Sequence, residues 1–302
     1  MLSSWIKAHE LKAPSLQDAP VFYRNIEEKL DVRRASHSFW GDTWKDRDAW
    51  DFSSNDTLSL GSSGVLRAEF LKELSRHPQA NFASGGARSL PDGRYAYIEQ
   101  VEQEIADFHK AECGILVGSG FEANVAIFTS LPQAGDVILY DEMIHASVHD
   151  GMQKSRATDR VSFRHNNVEA FRETLLSTLN RPQIKEKKNT VIVAVESIYS
   201  MEGDICPLKE LVEVVKETLE NVCFFVDEAH STGVMGPNGS GLVNALGLER
   251  EIAVRLHTCG KAMAANGGNQ LFFFFFFKRI RVEHEVLLGK TPANNLCSNC
   301  AW

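Results

Sequence analysis

Along this chain, short unbroken apolar runs take turns with longer stretches whose apolar residues recur every three or four positions. Runs at 115–117, 137–140, 191–195, 223–226 and 252–256 are continuous rather than alternating. That pattern suits parallel strands buried on both faces. Ile98, Val101, Ile105 and Phe108 keep helical spacing, and so do Leu208, Leu211, Val212, Val215 and Leu219. Further helices are expected over 21–32 and from Phe121 onward, whereas the polar, lysine-rich stretch 180–189 reads as a surface loop. The alternation predicts an α/β fold, a mostly parallel sheet with helices on both faces. In such sheets ligands bind beyond the carboxyl ends of the strands.

Candidate chemistry stands at those ends. Val226-Asp227-Glu228-Ala229-His230 and Thr258-Cys259-Gly260-Lys261-Ala262 each close an apolar run. A carboxylate, an imidazole and a lysine at the ends of parallel strands are the groups that hold pyridoxal 5'-phosphate. The lysine captures its aldehyde, and the carboxylate pairs with the pyridinium nitrogen and keeps the ring an electron sink. The letters Asp-Glu-Ala-His also occur in nucleotide-driven helicases, but those need a G-x-x-x-x-G-K-[ST] phosphate loop, and the chain contains none. Gly118-Ser119-Gly120-Phe121, between a strand and a helix, reads as a phosphate cradle built on a helix N-terminus. Thr258 is placed to bond a phosphate oxygen. His145 is a candidate to stack on a ring, and Ser200 to touch the cofactor's phenolic oxygen or the substrate.

Composition narrows the picture a little. With 302 residues, 43% hydrophobic and 24% charged, the chain has room for one large α/β domain and smaller additions. A net charge of -8 and a pI near 5.7 leave no basic stretch to neutralise phosphates, so no nucleic-acid partner is expected. No segment reaches the roughly 20 apolar residues of a membrane span. Six scattered cysteines suit a reduced, cytoplasmic protein, with peroxisomal or mitochondrial placement left open. Cys297 and Cys300 lack the second ligand pair of a zinc site, and no metal is expected.

Three regions are expected: a polar N-terminal arm over 1–50, a cofactor-binding domain over 51–268, and an aberrant tail over 269–302. The tail holds six consecutive phenylalanines, a run with neither strand nor helix period. Such a run would be insoluble if exposed, and it reads as altered sequence, for instance translated intron.

Together the motifs resemble the α-oxoamine synthases, fold-type I pyridoxal-phosphate enzymes, and within them the 8-amino-7-oxononanoate synthase branch and its fungal relatives. The resemblance is carried by Ser54-Asn55-Asp56-Thr57, by Gly85-Gly86-Ala87-Arg88 with Asp92-Gly93, and by Ser119-Gly120-Phe121-Glu122-Ala123-Asn124. It continues through 141–151, Arg164-His165-Asn166-Asn167, Ser200-Met201-Glu202-Gly203-Asp204, 227–233 and 258–268. It implies a decarboxylative Claisen condensation of an amino acid with an acyl-CoA. Lys261 would carry the cofactor and move the α-proton. Asp227 would bind the pyridine nitrogen, His230 and Ser200 the phenolic oxygen, and His145 the ring face. Ser119, Gly120, Phe121 and Thr258 would hold the phosphate, and Asn55 would orient the substrate near its carboxylate. It further implies a homodimer and a small C-terminal domain after Gly268, which this sequence does not display. An aminotransferase on the same fold and an inert truncated chain remain the alternatives.

Overall fold

The computed structural model describes residues 6–39, 50–78, 96–218, 221–265 and 268–272. Met1–Ser54 and Asn55–Trp302 are separate compact units. In the first, helix α1 (Val21–Ala35) carries the expected helical stripe. Its Asp31 accepts the backbone N–H groups of Lys12 and Ala13 and pairs with Arg34, tying the preceding turn to the helix.

The second unit is a seven-stranded sheet in the order β1-β7-β6-β5-β4-β2-β3. Strands β2 (Val137–Asp141), β3 (Asp159–Phe163), β4 (Val191–Glu196), β5 (Val222–Asp227) and β6 (Ile252–Thr258) run parallel. Strand β7 (Gly268–Phe272) is antiparallel to both its neighbours, β6 and β1 (Cys113–Val117). The continuous apolar runs are the central strands, because a strand covered on both faces has no solvent side to alternate with.

Two buried clusters sandwich the sheet. On one face, Ile138, Ala194, Phe225 and Leu256 pack with Ala123, Ile127 and Phe128 of α2 (Gly120–Ser130) and Val148 and Met152 of α3 (Ala146–Gln153). On the other, Leu139, Val193, Phe224 and Val226 meet Phe171 and Leu175 of α4 (Val168–Leu179). Leu208, Leu211 and Val212 of α5 (Leu208–Lys216) and Val243 of α6 (Leu242–Leu246) complete that layer. Successive strand residues turn to opposite faces, so this alternation fixes which strand-end side chains share a side.

Several elements depart from the sequence expectation. Strand β3 is an edge strand, exposed at Arg160 and Ser162 and buried only at Phe163, and its polar half hides it in a search for continuous runs. Helix α4 follows the Asn167 cap, whose side chain accepts the Ala170 N–H at 2.7 Å. The stretch 180–189 is not all loop: Pro182–Lys185 makes one helical turn, and Ile184 on it is 1% exposed in the core. The helix at 208 ends at Lys216, and Leu219 lies outside the described residues. The sheet also runs past Gly268, where the sequence pattern put the domain's end, since β7 fills the slot between β1 and β6. Glycine is required at its start. A Cβ on Gly268 would sit 2.9 Å from the Gly120 nitrogen and 3.0 Å from the Ser119 carbonyl carbon.

Candidate active site

The carboxyl ends of β2, β4, β5 and β6 and the start of α2 enclose a cavity of about 230 Å3. Eight of the residues singled out in the sequence line it: Asn55, Ser119, Gly120, Phe121, His145, Asp227, Thr258 and Lys261. Ser200 and His230 are not on its wall. Ser200 lies four residues beyond the Glu196 end of β4, with its N–H near the Glu196 carboxyl, and His230 is within electrostatic reach of Lys261, Asp227 and His145. The Gly85-Gly86-Ala87-Arg88 and Asp92-Gly93 motifs lie outside the described residues, as do Cys297 and Cys300.

One end of the cavity is made for an anion. Ser119 caps α2, its Oγ accepting the Glu122 N–H at 3.1 Å, which leaves the hydroxyl hydrogen to donate. The first turn of the helix offers its free N–H groups and the positive end of its dipole. A Cβ on Gly120 would stand 3.2 Å from the Thr258 Cβ, so only glycine lets backbone and threonine close on one small group together. The Thr258 hydroxyl is held by the Gly260 N–H at 3.3 Å.

The other end holds the titratable groups. Asp227, 4% exposed, accepts the Ala229 N–H at 2.9 Å on one oxygen and Asn124 Nδ2 at 2.8 Å on the other. Asn124 Nδ2 also donates to Ser147 Oγ at 2.9 Å, and that hydroxyl lies 2.7 Å from His145 Nδ1. A line of hydrogen bonds therefore runs from His145 through Ser147 and Asn124 to Asp227. Burial pushes Lys261 below the usual lysine range, with Asp227 and Glu196 pulling the other way. Burial likewise lowers His145, against the pull of Asp227, and burial with the nearby Lys261 lowers His230 to about 4. Both shifts favour the neutral imidazole.

Sequence reasoning missed Asn124, Ser147 and Glu196, all on the cavity wall. Asn124 carried a signal: it is a polar residue on the buried stripe of a helix beginning at the phosphate turn. Glu196 carried one as well, as a carboxylate ending a wholly apolar strand.

The residues present fit a phosphorylated aromatic aldehyde. The helix start suits the phosphate, a donor-dressed aspartate suits a ring N–H, and a lysine with lowered proton affinity suits the aldehyde carbon. Among the described residues no cluster of histidines, cysteines and carboxylates is arranged for a metal ion. No described helix is long and apolar enough to cross a membrane.

This geometry belongs to a known class. Residues 47–271 match the family described as aminotransferase class I and II, and the chain is a member of it. Among its relatives is an aminoacyl transferase, sphA, of Aspergillus fumigatus, 53% identical over 270 residues, which are 87% of this chain and 57% of that protein. An 8-amino-7-oxononanoate synthase of Emericella nidulans is 50% identical over 221 residues, covering 72% of this chain and 53% of the relative. In three dimensions the chain resembles a serine palmitoyltransferase of S. paucimobilis solved with a PLP–myriocin aldimine. The TM-score is 0.63 at 31% identity, over 76% of this chain and 56% of the other. These names are those of α-oxoamine synthases, the group that the motifs resemble, and the architecture is that of the fold-type I enzymes. The chain spans a little over half the length of these relatives.

Proposed function

We propose that this chain carries the cofactor half of a pyridoxal-phosphate-dependent acyltransferase that joins an amino acid to an acyl-CoA with loss of carbon dioxide. The observation that carries this reading is the single cavity in which Asp227, His145, Thr258, Lys261 and the Ser119–Gly120 turn converge. The relatives' names, an aminoacyl transferase, an 8-amino-7-oxononanoate synthase and a serine palmitoyltransferase, are those of α-oxoamine synthases and support the reaction class.

When bound, pyridoxal phosphate supplies an electron sink for charge that develops at the amino acid's α-carbon. The protein supplies the rest. Ser119, Gly120, Phe121 and Thr258 fix the phosphate and so the depth of the ring. Asp227, held by Asn124 and the Ala229 N–H, keeps an acceptor on the ring nitrogen. His145, with its Nδ1 engaged by Ser147, would stack on the cofactor ring. His230 and Ser200, behind the wall, are assigned to the phenolic oxygen. Lys261 would hold the cofactor's aldehyde, and its desolvated Nζ would be the base for the α-proton. Asn55 steers the substrate carboxylate.

The working domain in this proposal is 51–268 extended by β7, preceded by the arm over 1–50. L-Alanine with pimeloyl-CoA, as in biotin formation, is the first substrate pair to try. A cytoplasmic homodimer completes the proposal. Phe121, Met143 and Met263 are 47%, 39% and 40% exposed, apolar surface of the kind a second subunit covers.

The test is to give the purified chain pyridoxal phosphate, L-alanine and acyl-CoA, and to follow free thiol and keto acid together. Thiol release in step with alanine consumption is expected. Keto acid without thiol would make the chain an aminotransferase instead, and neither product from folded, cofactor-loaded protein would contradict the reading.

A further inference from the structure

Glu196 closes β4 in register with Asp227 at the end of β5, so the two carboxyls leave neighbouring parallel strands on the same face. Both are buried, at 2% and 4% exposure. The charged and titratable groups around them are Lys261 beyond β6, His145 beyond β2 and His230 beyond β5. Burial disfavours charge on both imidazoles, and Lys261 is the cation that both carboxyls face. Like charges in one buried site do not both ionise without a large cost.

The hydrogen bonds decide which of the two carries the charge. Asp227 receives N–H donors on both oxygens, the dress of an anion. Glu196 is dressed on one side only. The backbone N–H groups of His145 and Ser200 stand near enough to its carboxyl to favour the charged form, while Oε1 is buried without a hydrogen-bond partner. A charged oxygen stripped of donors is costly there, whereas a hydroxyl has a hydrogen to give.

We propose that Glu196 is a positioning residue that works as a neutral acid. One oxygen clamps the His145 and Ser200 loops, and the other, bearing the proton, donates to an acceptor oxygen of the bound cofactor. Burial and Asp227 push this carboxyl up to about 8 despite Lys261, in keeping with that state. The clamp joins two loops that carry assigned cofactor residues, so the side chain sets their spacing as well as offering a donor. The donor half rests on the reading that this cavity takes pyridoxal phosphate.

The test compares the wild type with E196Q, a neutral isostere that keeps acceptor and donor, and with E196A, which keeps neither. Melting of the cofactor-free chains isolates the proton. A carboxyl that stays protonated in the fold costs the wild type stability as pH rises from about 4.5 to 8, and glutamine carries no such cost. The Tm of E196Q should therefore climb relative to wild type by several degrees across that window. A constant or falling difference would mean an ionised Glu196 and would overturn the proposal.

With pyridoxal phosphate, E196Q should keep the visible absorption band and its titration midpoint, while E196A should bind on the order of tenfold more weakly, the loss of one good hydrogen bond. A midpoint displaced downward in E196Q would reveal a missing negative charge and refute the neutral acid. If the wild type gains no band, the donor role falls together with the proposed function, and the melting comparison still decides the proton.

Discussion

Asp227 and Glu228 are consecutive, both buried and both acidic, yet they serve opposite sides of the sheet. Asp227 turns to the cavity. Glu228, 0% exposed, turns to a polar cluster behind it, whose His109, Thr232 and His257 line a second cavity of about 270 Å3. There its Oε1 accepts the Val243 N–H at 2.9 Å, and Oε2 lies 3.5 Å from His257 Nε2. His257 Nδ1 meets Thr232 Oγ1 at 2.8 Å and its ring stacks on His109, with centroids 3.8 Å apart. Arg255, 1% exposed, bonds Asn244 Oδ1 and the His109 carbonyl, each at 2.8 Å.

Both regions thus contain a carboxylate, histidines and a cation, and both perturb proton affinities. Burial raises Glu228 to about 7 and drives His257 well below its ordinary value. The difference lies in where the groups aim. Those of the rear cluster aim at one another and at the backbone of α6 and its neighbours, stitching elements together. Those of the front aim at shared open space, where Asn124 and Glu196 each keep an unpartnered oxygen, whereas the unbonded Glu228 Oε2 and His257 Nε2 of the rear face each other at 3.5 Å. Shifted proton affinity therefore marks burial in both regions, and the front differs in setting a lysine and a donor-dressed carboxylate opposite a helix N-terminus in one cavity.

Substitutions on the two sides separate these roles, the largest effect first. Lys261→Ala should abolish the visible band formed with pyridoxal phosphate while leaving the melting curve in place; a retained band would remove Lys261 from its role. Asp227→Asn should cut turnover on the order of 100-fold by weakening the charge opposite the ring nitrogen, again with little change in folding. Near-normal steady-state rates would sink that assignment. At the rear the pattern inverts. Arg255→Leu should cost about 3–5 kcal/mol in denaturant unfolding, because it strands Glu228, Asn244 and a buried carbonyl. An unfolding midpoint unchanged from wild type would show that the cluster is not a brace.

Two smaller effects sharpen the contrast. Asn124→Ala removes a donor shared by Asp227 and Ser147 and should weaken cofactor binding with a loss of about 1–3 kcal/mol, read by titrating the band. Equal affinity in the variant would take Asn124 out of the relay. Glu228 carries a pH signature. Its folded proton affinity lies above the unfolded value, so it stabilises fully at low pH and loses that contribution as pH rises from about 4.5 to 7. E228Q should gain on wild type across that window, on the order of 3 kcal/mol, and a difference independent of pH would place the charge elsewhere.

Much of the front was legible in the sequence and little of the rear. Asp227, Lys261 and the Gly118–Gly120 turn stand at the ends of continuous apolar runs, where side chains of that chemistry have few structural uses. The central strands were legible for the same reason: burial on both faces writes itself as an unbroken run. Edge strand β3 mixes polar and apolar residues, and β7 begins among residues that read as a tail, its place made by its two neighbours rather than by its own pattern. Glu228, Arg255 and His257 gave no sign of their cluster, because their partners lie on α6 and near His109, over 100 residues away for Arg255. Asn124 and Glu196 sat in plain sight at informative positions, but only the fold brings them to one wall.

The most direct test of the cofactor cavity is chemical. Incubating the purified chain with pyridoxal phosphate, reducing it with borohydride and mapping the peptides locates the amine that captured the aldehyde. The account predicts a pyridoxyl group on the peptide containing Lys261 and on no other lysine at stoichiometric label. Label spread over surface lysines, or absent from Lys261 in folded protein, would contradict it.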